Sequence, residues 1–275
     1  MAMVINTNLA SLNAVRQLDQ TSLEQKTAME RLTSGLRINK AADDAAGLAV
    51  ATGMTTQIKG TEMAIRNAND GIGVLQTLDG AAEEVVSMMQ RMRELSIQSL
   101  TGTYSNENRA QMQEEFSQLR SEIDRIADTT KFNETGIMNN STNSILTLHI
   151  GWETGAENKI NISTYDFNAS ALTINSAAIT AVSLASAAVL AIDTDLSAIN
   201  LTRAKWGALQ NRLESTVSNL ANVNENIMAA RSQILDTDFA KESANLARTQ
   251  VLQQAGMSML SQANQNSQQV LSLLQ

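Results

Sequence analysis

Apolar side chains recur at steps of three, four and seven residues in three long stretches of this chain. The first stretch carries two neighbouring rows, and the second and third carry one row each. In chain order the positions are Ile58, Ile65 and Ile72 beside Ala68, Leu75, Ala82 and Met89, then Met112, Phe116, Leu119, Ile123 and Ile126, then Trp206, Leu213, Leu220, Ile227 and Ile234. This spacing is typical of coiled-coil seams and helix-bundle faces. The pattern predicts a mainly α fold of long antiparallel helices with coiled-coil packing.

The first of these helices is expected to run from about 44 to 100, followed by a turn at Thr101-Gly102-Thr103. Five glycines lie inside it, and each costs roughly 1 kcal/mol relative to Ala in a helix interior. They are Gly53, Gly60, Gly71, Gly73 and Gly80. Since the apolar row continues on both sides of them, we expect one helix, with another helix packed closely against the bare backbone.

The middle of the chain has a different pattern. Residues 144–150 alternate or run apolar and include β-branched residues, and residues 159–164 alternate strictly in polarity. Together they predict a small β-hairpin, with 151–158 as its connection. Residues 169–192 are rich in Ala, Ser, Thr and Ile and poor in charge. We interpret 169–192 as a short, surface-exposed variable linker or insert.

Both ends of the chain lack charge. Arg16 is the first charged residue and Arg248 the last. A helix that faces water normally places charges on its outer face, so each end should be covered by protein on more than one side. A membrane span is the rival explanation. The residues after Arg248 include 8 Gln and 2 Asn, and no apolar run there approaches the roughly 20 residues that a bilayer requires. The ends are therefore expected to pack together or against other copies, without membrane insertion.

Composition excludes several classes of function. The net charge is −8 without a long like-charge run, so nucleic acid is not an expected partner. Cysteine is absent, which excludes disulfides and thiolate sites. Proline is absent too, which permits very long helices. The N-terminus has neither a basic region nor a long apolar core, so no Sec-type signal peptide is expected.

Candidate chemistry is sparse. His149 is the only histidine and lies in an expected strand, where a structural role is favoured over a lone general base. Asp43 and Asp44 are better helix caps than cation ligands, because adjacent helical side chains point about 100° apart. Caps are also expected at Asn106 and at 236–238. We therefore expect no catalytic residues, no cofactor and no metal site, and predict that the protein is not an enzyme.

Several segments resemble bacterial flagellin, the subunit of the flagellar filament. The most specific is SGLRINKAADDAAGLAVATGM at 34–54. Others are VINTNLASLNA near the start, AIRNANDGIGVLQTLDGA, QRMRELSIQS and EIDRIADTTKFN, and then GALQNRLESTVSNLANVNENIMAARSQILDTDFA and QVLQQAGMSMLSQANQNSQQVLSLLQ. The resemblance covers roughly 1–165 and 200–275. It is weakest at 166–199, where larger flagellins carry outer domains, so the chain resembles a short form.

The resemblance implies an architecture and a location. Residues 1–42 and 236–275 would form an inner domain whose terminal helices pair as a coiled coil. Residues 43–168 and 193–235 would form a helical rod domain with the β-hairpin at about 140–168. The subunit would polymerise with itself into an extracellular filament for swimming motility. It would be secreted by the flagellar type III apparatus, without a Sec signal.

The resemblance also implies partners and the residues that meet them. The partners are a flagellin export chaperone, the flagellar cap and hook-associated proteins, and the animal Toll-like receptor that senses flagellin. The receptor patch would comprise Gln90, Arg91, Glu94, Leu95, Gln98 and Glu115. The chaperone and assembly tail would comprise Leu260, Val270, Leu271, Leu273 and Leu274, and N-terminal assembly would use Ile5, Leu9 and Leu12. From pattern alone, the strip around Arg91 is an ordinary solvated helix face.

Three alternatives remain at this point. A hook–filament junction (hook-associated) protein shares the terminal helices, but the AADDAAGLA and QQAGMSMLSQANQ segments favour flagellin. A secreted helical translocator would need a long apolar segment, which we do not expect here. An enzymatic insert would need more room than the weakly matching stretch provides.

Overall fold

The computed structural model describes residues 8–139 and 145–272, with the side chains of 266–272 excepted. The fold is mainly α, as predicted. The helices are α1 (Leu9–Ser34), α2 (Ala45–Leu100), α3 (Asn106–Thr129), α4 (Val182–Leu235) and α5 (Phe239–Ser272). Two small antiparallel pairs complete it, β1 (Lys131–Phe132) with β2 (Thr135–Gly136), and β3 (Ile145–His149) with β4 (Lys159–Ser163).

Short polar side chains begin the helices, largely as expected. The Asp44 carboxylate accepts the N–H of the residue three positions on at 2.8 Å. The Asp43 carboxylate accepts two N–H groups of the preceding loop at 3.0 Å. The start of α3 differs by one residue, because Ser105 rather than Asn106 supplies the capping oxygen. Asp238 caps α5 through two further N–H groups. The predicted cap is therefore formed by Asp44, whereas Asp43 holds the loop before α2.

The residues group into two compact units. The first contains 1–56 and 226–275, and the second contains 57–225. In the first unit, α1 and α5 lie side by side and antiparallel, since Asn8 bonds to Ala263 at one end and Arg31 pairs with Glu242 at the other. The predicted apolar rows form the core of the second unit. That core contains Ala68, Leu75, Ala82, Met89, Phe116, Ile123, Trp206 and Leu213, all at most 2% exposed.

Ion pairs fix the register of α2 against α4 in the second unit. Arg93 Nε donates to Asp193 at 2.6 Å, and Arg203 Nε donates to Asp79 at 2.6 Å. The order of these partners shows that the two helices run antiparallel. Exposed pairs of this kind contribute little stability, so the buried apolar rows hold the helices together and the ion pairs select the alignment.

The interpretation of 169–192 as an exposed linker is wrong. Ile174 and Ile179 are fully buried, and Leu172 is 4% exposed. Both oxygens of the Asp195 carboxylate accept N–H groups of the turn at Thr173–Ser176, and α4 already begins at Val182. The buried apolar residues of this segment pack on the core, while its serine side chains are exposed.

The β-hairpin forms as predicted, and it explains the helical glycines differently from our expectation. A Cβ at Gly60 would lie 2.6 Å from the Cβ of Trp152, and one at Gly71 would overlap Leu148. The close neighbour is thus the hairpin and its connection, not another helix. Nothing lies within 4 Å of such an atom at Gly53 or Gly80.

One helix is more apolar than we expected. An 18-residue window of α4 has a mean hydropathy of 1.5, which by length and composition alone would suit a membrane span. Core helices of soluble proteins pass the same test. In α4 the buried positions include Ala185, Ala188, Ile192 and Ile199, which belong to the core of the second unit. Only 28% of the window is buried, however, so packing within the second unit accounts for part of the apolar character of α4.

Candidate assembly and recognition surfaces

Polar contacts join α1 and α5 at the end of the pair where α1 begins. Asn8 Nδ2 donates to the Ala263 carbonyl at 3.0 Å, and Ser11 Oγ donates to Asn264 Oδ1 at 3.1 Å. Between these contacts and the opposite end, Leu18 packs on the bare backbone of Gly256, where a Cβ would come within 2.8 Å of Leu18. The small residue allows the two helices to approach closely.

The opposite end of the pair is closed by backbone hydrogen bonds. Gly35 ends α1 with φ of 72°, a left-handed conformation that favours glycine. Its carbonyl accepts the Thr237 N–H at 3.0 Å, while the Arg37 N–H donates to the Leu235 carbonyl. The Arg37 guanidinium also donates to the Ile234 carbonyl at 2.7 Å. The loop after α1 is therefore fixed to the end of α4, which positions α5 beside α1.

Both helices of the α1–α5 pair carry exposed large apolar side chains. Leu9 is 63% exposed and Leu12 is 69% exposed. The other large apolar side chains exposed on these two helices are Val15, Leu23, Met29, Phe239, Val251, Leu252, Met257 and Met259. Large exposed apolar patches mark interaction sites on soluble proteins, so these side chains are the candidate assembly residues of the pair.

The structure reaches only part of the expected terminal sites. Leu9 and Leu12 are exposed, and Leu260 is half-buried on α5. The residues Ile5, Leu273 and Leu274 lie outside the described residues, as do the side chains of Val270 and Leu271.

The expected receptor patch is built around Arg91 in the second unit. Arg91 Nε donates to Glu115 Oε1 at 2.9 Å, and Arg91 Nη1 donates to Glu94 Oε2 at 3.0 Å. These hydrogen bonds raise the pKa of Arg91 above its usual value, and the bond to Glu115 has the larger effect. Gln98 donates to the Tyr104 hydroxyl at 2.9 Å, and Gln90 is exposed. The structure thus brings residues of α2 and α3 into one charged, exposed surface.

One expected member of that patch faces the other way. Leu95 is 2% exposed and lies in the core, as does Met92 at 0%. Both follow the buried stripe of α2, whereas Arg91, Glu94 and Gln98 follow the exposed stripe. Leu95 consequently packs in the core beneath the patch, and its side chain is not accessible to a partner.

Sequence reasoning missed a buried arginine that closes the end of α2. Arg109 is 7% exposed. Its Nε donates to the Ser99 carbonyl at 3.0 Å, and its Nη2 donates to the Thr101 carbonyl at 3.2 Å. Carbonyls at a helix C-terminus lack intrahelical partners and attract cations. The last turn of α2 has no basic residue of its own, which is the signal that could have been noticed.

The only histidine of the chain has a structural contact. His149 ends β3, and its carbonyl accepts Asn67 Nδ2 at 2.8 Å. Within residues 8–139 and 145–272, no group of three or more His, Asp or Glu side chains is placed to hold a metal ion.

Comparison with known proteins decides the family. The model of the bacterial flagellin N-terminal helical region matches residues 5–143, and that of the C-terminal helical region matches 189–274. The chain belongs to the bacterial flagellin family. A flagellin from Halalkalibacterium halodurans is 44% identical over 99% of this chain and 100% of its own length. The flagellar filament 31.3 kDa core protein of Treponema maltophilum is 41% identical over 99% of this chain and 100% of its own length.

A solved structure agrees with this assignment. The crystal structure of Bacillus cereus flagellin has a TM-score of 0.51 and 26% identity, and it covers 56% of this chain and 88% of that one. This flagellin is therefore an extracellular, structural subunit of the flagellar filament and not an enzyme, as predicted. The hook–filament junction alternative is not favoured, because full-length relatives are flagellins and filament proteins.

Proposed function

We propose that the α1–α5 pair is the surface through which this flagellin packs against neighbouring copies in the filament. The supporting observation is the exposure of large apolar side chains on a helix pair whose ends carry no charge before Arg16 or after Arg248. Burial of each Leu or Met releases up to about 1.5–3 kcal/mol, in proportion to the area covered. Several such residues together offset the cost of ordering the chain ends.

The first test exchanges apolar groups without shortening the chain. Replacing Leu9 and Leu12 by Ser should prevent filament formation in sedimentation and electron microscopy, while circular dichroism stays near that of the parent. The matched control replaces Leu190 and Leu201, two leucines of the second unit that are 67% and 59% exposed. Normal filaments from the α1 variant, or equal loss in the control, would contradict the proposal.

A deletion of 249–275 addresses the other helix. The truncated chain should lose polymerisation but keep the fold of the second unit, because those residues belong wholly to the first unit. Normal filaments from the truncated chain would show that the C-terminal segment is dispensable for assembly.

Before export, the same C-terminal segment is proposed to bind the flagellin export chaperone. An amphipathic helix that lies in an apolar groove is a common recognition mode. The anchors would be Leu260, Val270, Leu271, Leu273 and Leu274, and α5 is helical through Ser272. Replacing Leu271, Leu273 and Leu274 by Ala should weaken chaperone binding in calorimetry. An unchanged affinity would place the contact elsewhere.

Export is proposed to follow the flagellar type III route, because the chain belongs to the bacterial flagellin family. The subunit would then be placed under the flagellar cap, above hook-associated proteins. Cells without a functional flagellar export apparatus should retain the protein inside, whereas inhibition of the Sec pathway should leave its secretion unchanged. The reverse result would exclude this route.

The Arg91 patch is proposed as the contact with the flagellin-sensing Toll-like receptor. Arg91 is held in place by Glu94 and Glu115, and an ordered Arg in an interface is a frequent hot spot worth about 2 kcal/mol or more. Arg91→Ala should therefore reduce the potency of soluble monomer on receptor-expressing cells by about 30-fold. The matched control is Arg125→Ala, which removes an exposed Arg–Glu122 pair on α3. Potency within twofold of the parent for Arg91→Ala would show that the patch is only a solvated face.

A further inference from the structure

A groove lies between the end of β4 and the middle of α4 in the second unit. Its volume is about 420 Å³, and Trp206 and Leu209 form its apolar floor. Trp206 is 2% exposed and donates from Nε1 to the Ser163 carbonyl at 3.0 Å, so its position is fixed. Tyr165 lines one side and packs edge-on against Phe167. The groove is therefore a preformed apolar depression.

Two cations stand on the rim of this groove. Lys205 and Arg212 are exposed, line the groove and lie two helical turns apart on α4, about 10 Å at 1.5 Å per residue. Leu209 lies between them on the same helix face. In the part of the chain that the structure describes, neither side chain has an ion-pair or hydrogen-bond partner. The rim thus presents two uncompensated positive charges on a protein whose net charge is −8.

A surface of complementary chemistry lies at the tip of the β3–β4 hairpin. Trp152 is 47% exposed there and is the only aromatic residue among the large exposed apolar side chains that the structure describes in 57–225. Glu153 and Glu157 are exposed beside it. Among described residues, neither carboxylate has an ion-pair or hydrogen-bond partner. The tip therefore combines an apolar ring with two unpaired negative charges.

We propose that the groove at Trp206 receives the hairpin tip of a second copy of this chain. The tip lies against Gly60, whereas α4 near the groove lies against Asp79, through Arg203. Along α2 these two points are about 28 Å apart at 1.5 Å per residue, so a copy cannot place its tip in its own groove. Two different surfaces that fit each other across copies make a head-to-tail contact, which propagates an open polymer rather than a closed dimer.

This inference rests on the self-assembly of the family, and it concerns a contact separate from the α1–α5 surface. Burial of the Trp152 ring on the apolar floor supplies attraction, and the opposite charges on rim and tip set the orientation of the incoming copy. Reversal of either charge pair should therefore oppose assembly, and reversal of both should permit it again.

The test compares three variants of the full chain by seeded filament elongation. Lys205→Glu with Arg212→Glu, and separately Glu153→Lys with Glu157→Lys, should each raise the critical concentration at least tenfold. The chain carrying all four substitutions should return to within threefold of the parent. A mixture of the two double variants should also elongate, since the tip of each fits the groove of the other. Circular dichroism should be unchanged, because these side chains make no polar contacts within the described structure.

The controls separate charge complementarity from net charge. Lys131→Glu removes an exposed cation of β1 and should not change elongation, whereas Lys205→Glu alone should slow it. If the groove variant elongates like the parent, or the fourfold variant and the mixture are no better than the double variants, the tip is not the occupant of the groove and the inference fails. Such a result would leave the α1–α5 proposal intact, because its variants lie in the first unit.

Discussion

Replacing Arg109 by Ala should lower the free energy of unfolding of the second unit by about 3 kcal/mol. Arg109 is buried between α2 and α3, and its guanidinium donates to the carbonyls of Ser99 and Thr101 at the end of α2. A third contact, to Asn106 at 3.5 Å, is long. The substitution removes every one of these donors and leaves the aliphatic volume of the side chain unfilled.

The magnitude follows from which partners water can replace. Thr101 is exposed, so its carbonyl can bind water at little cost. Ser99 is fully buried, and a buried carbonyl without a partner costs about 1–3 kcal/mol. Loss of a cation at the helix C-terminus adds about 0.3–1 kcal/mol, and loss of the packed stem adds to it. The expected sum of about 3 kcal/mol is roughly a hundredfold in the folding equilibrium.

The assay is urea unfolding of the monomeric full chain, followed by tryptophan fluorescence. The protein has 2 Trp residues, Trp152 and Trp206, and both lie in 57–225, so the signal reports the second unit. Arg109→Lys keeps the charge but offers fewer directed donors and should lose about half as much. Arg125→Ala, which removes an exposed pair, should be near neutral. A loss below about 1 kcal/mol for Arg109→Ala, or equal effects at Arg109 and Arg125, would refute the reasoning.

Three further outcomes are expected. The first two come from the same unfolding assay, and the third comes from urea unfolding followed by circular dichroism, because Asp43 lies in the first unit, which contains no tryptophan. Gly60→Ala should destabilise the monomer by about 1–2 kcal/mol, because the new methyl group meets Trp152. Gly80→Ala should stabilise it by up to about 1 kcal/mol, since nothing lies within 4 Å of the new methyl group. Equal effects of the two variants would contradict the close approach of Trp152 to Gly60. Asp195→Ala should cost about 2–4 kcal/mol, because two N–H groups lose their acceptor, and a smaller loss than in Asp195→Asn would contradict this role. Backbone hydrogen bonds lower the pKa of Asp43, so its contribution to stability is present above about pH 4 and is lost as pH falls further. Asp43→Asn should therefore differ from the parent at pH 7 and converge with it in acid, and a constant difference would exclude the linkage.

Local patterns in the sequence predicted most of the secondary-structure elements and their buried faces. The seven-residue rows predicted which side of α2 is buried, and Ala68, Leu75, Ala82 and Met89 all lie in the core. The period of two predicted both strands of the hairpin. These signals are reliable because a helix or strand presents its residues at a fixed spacing, whatever its neighbours are. The charge-free ends predicted that the terminal helices pack together or against other copies, and α1 lies beside α5.

The receptor patch was only partly readable from the sequence. The exposed stripe of Arg91, Glu94 and Gln98 follows from helical spacing, and the same spacing places Leu95 on the buried face. The contact with Glu115 depends on how α3 packs beside α2, which local periodicity does not fix. Residues 34–54 identified the family, since their order of residues is far more specific than their periodicity.

Contacts between distant residues were decided by tertiary structure alone. Arg109 reaches the end of α2, Asp195 holds the segment before α4, and Trp152 lies on Gly60 because packing brings these residues together across the chain. The composition of 169–192 was equally compatible with a linker, and only burial of Ile174 and Ile179 against the core excludes it. Sequence spacing determines which face an element offers, whereas the partner of that face is selected by the shape and polarity of the whole assembled core.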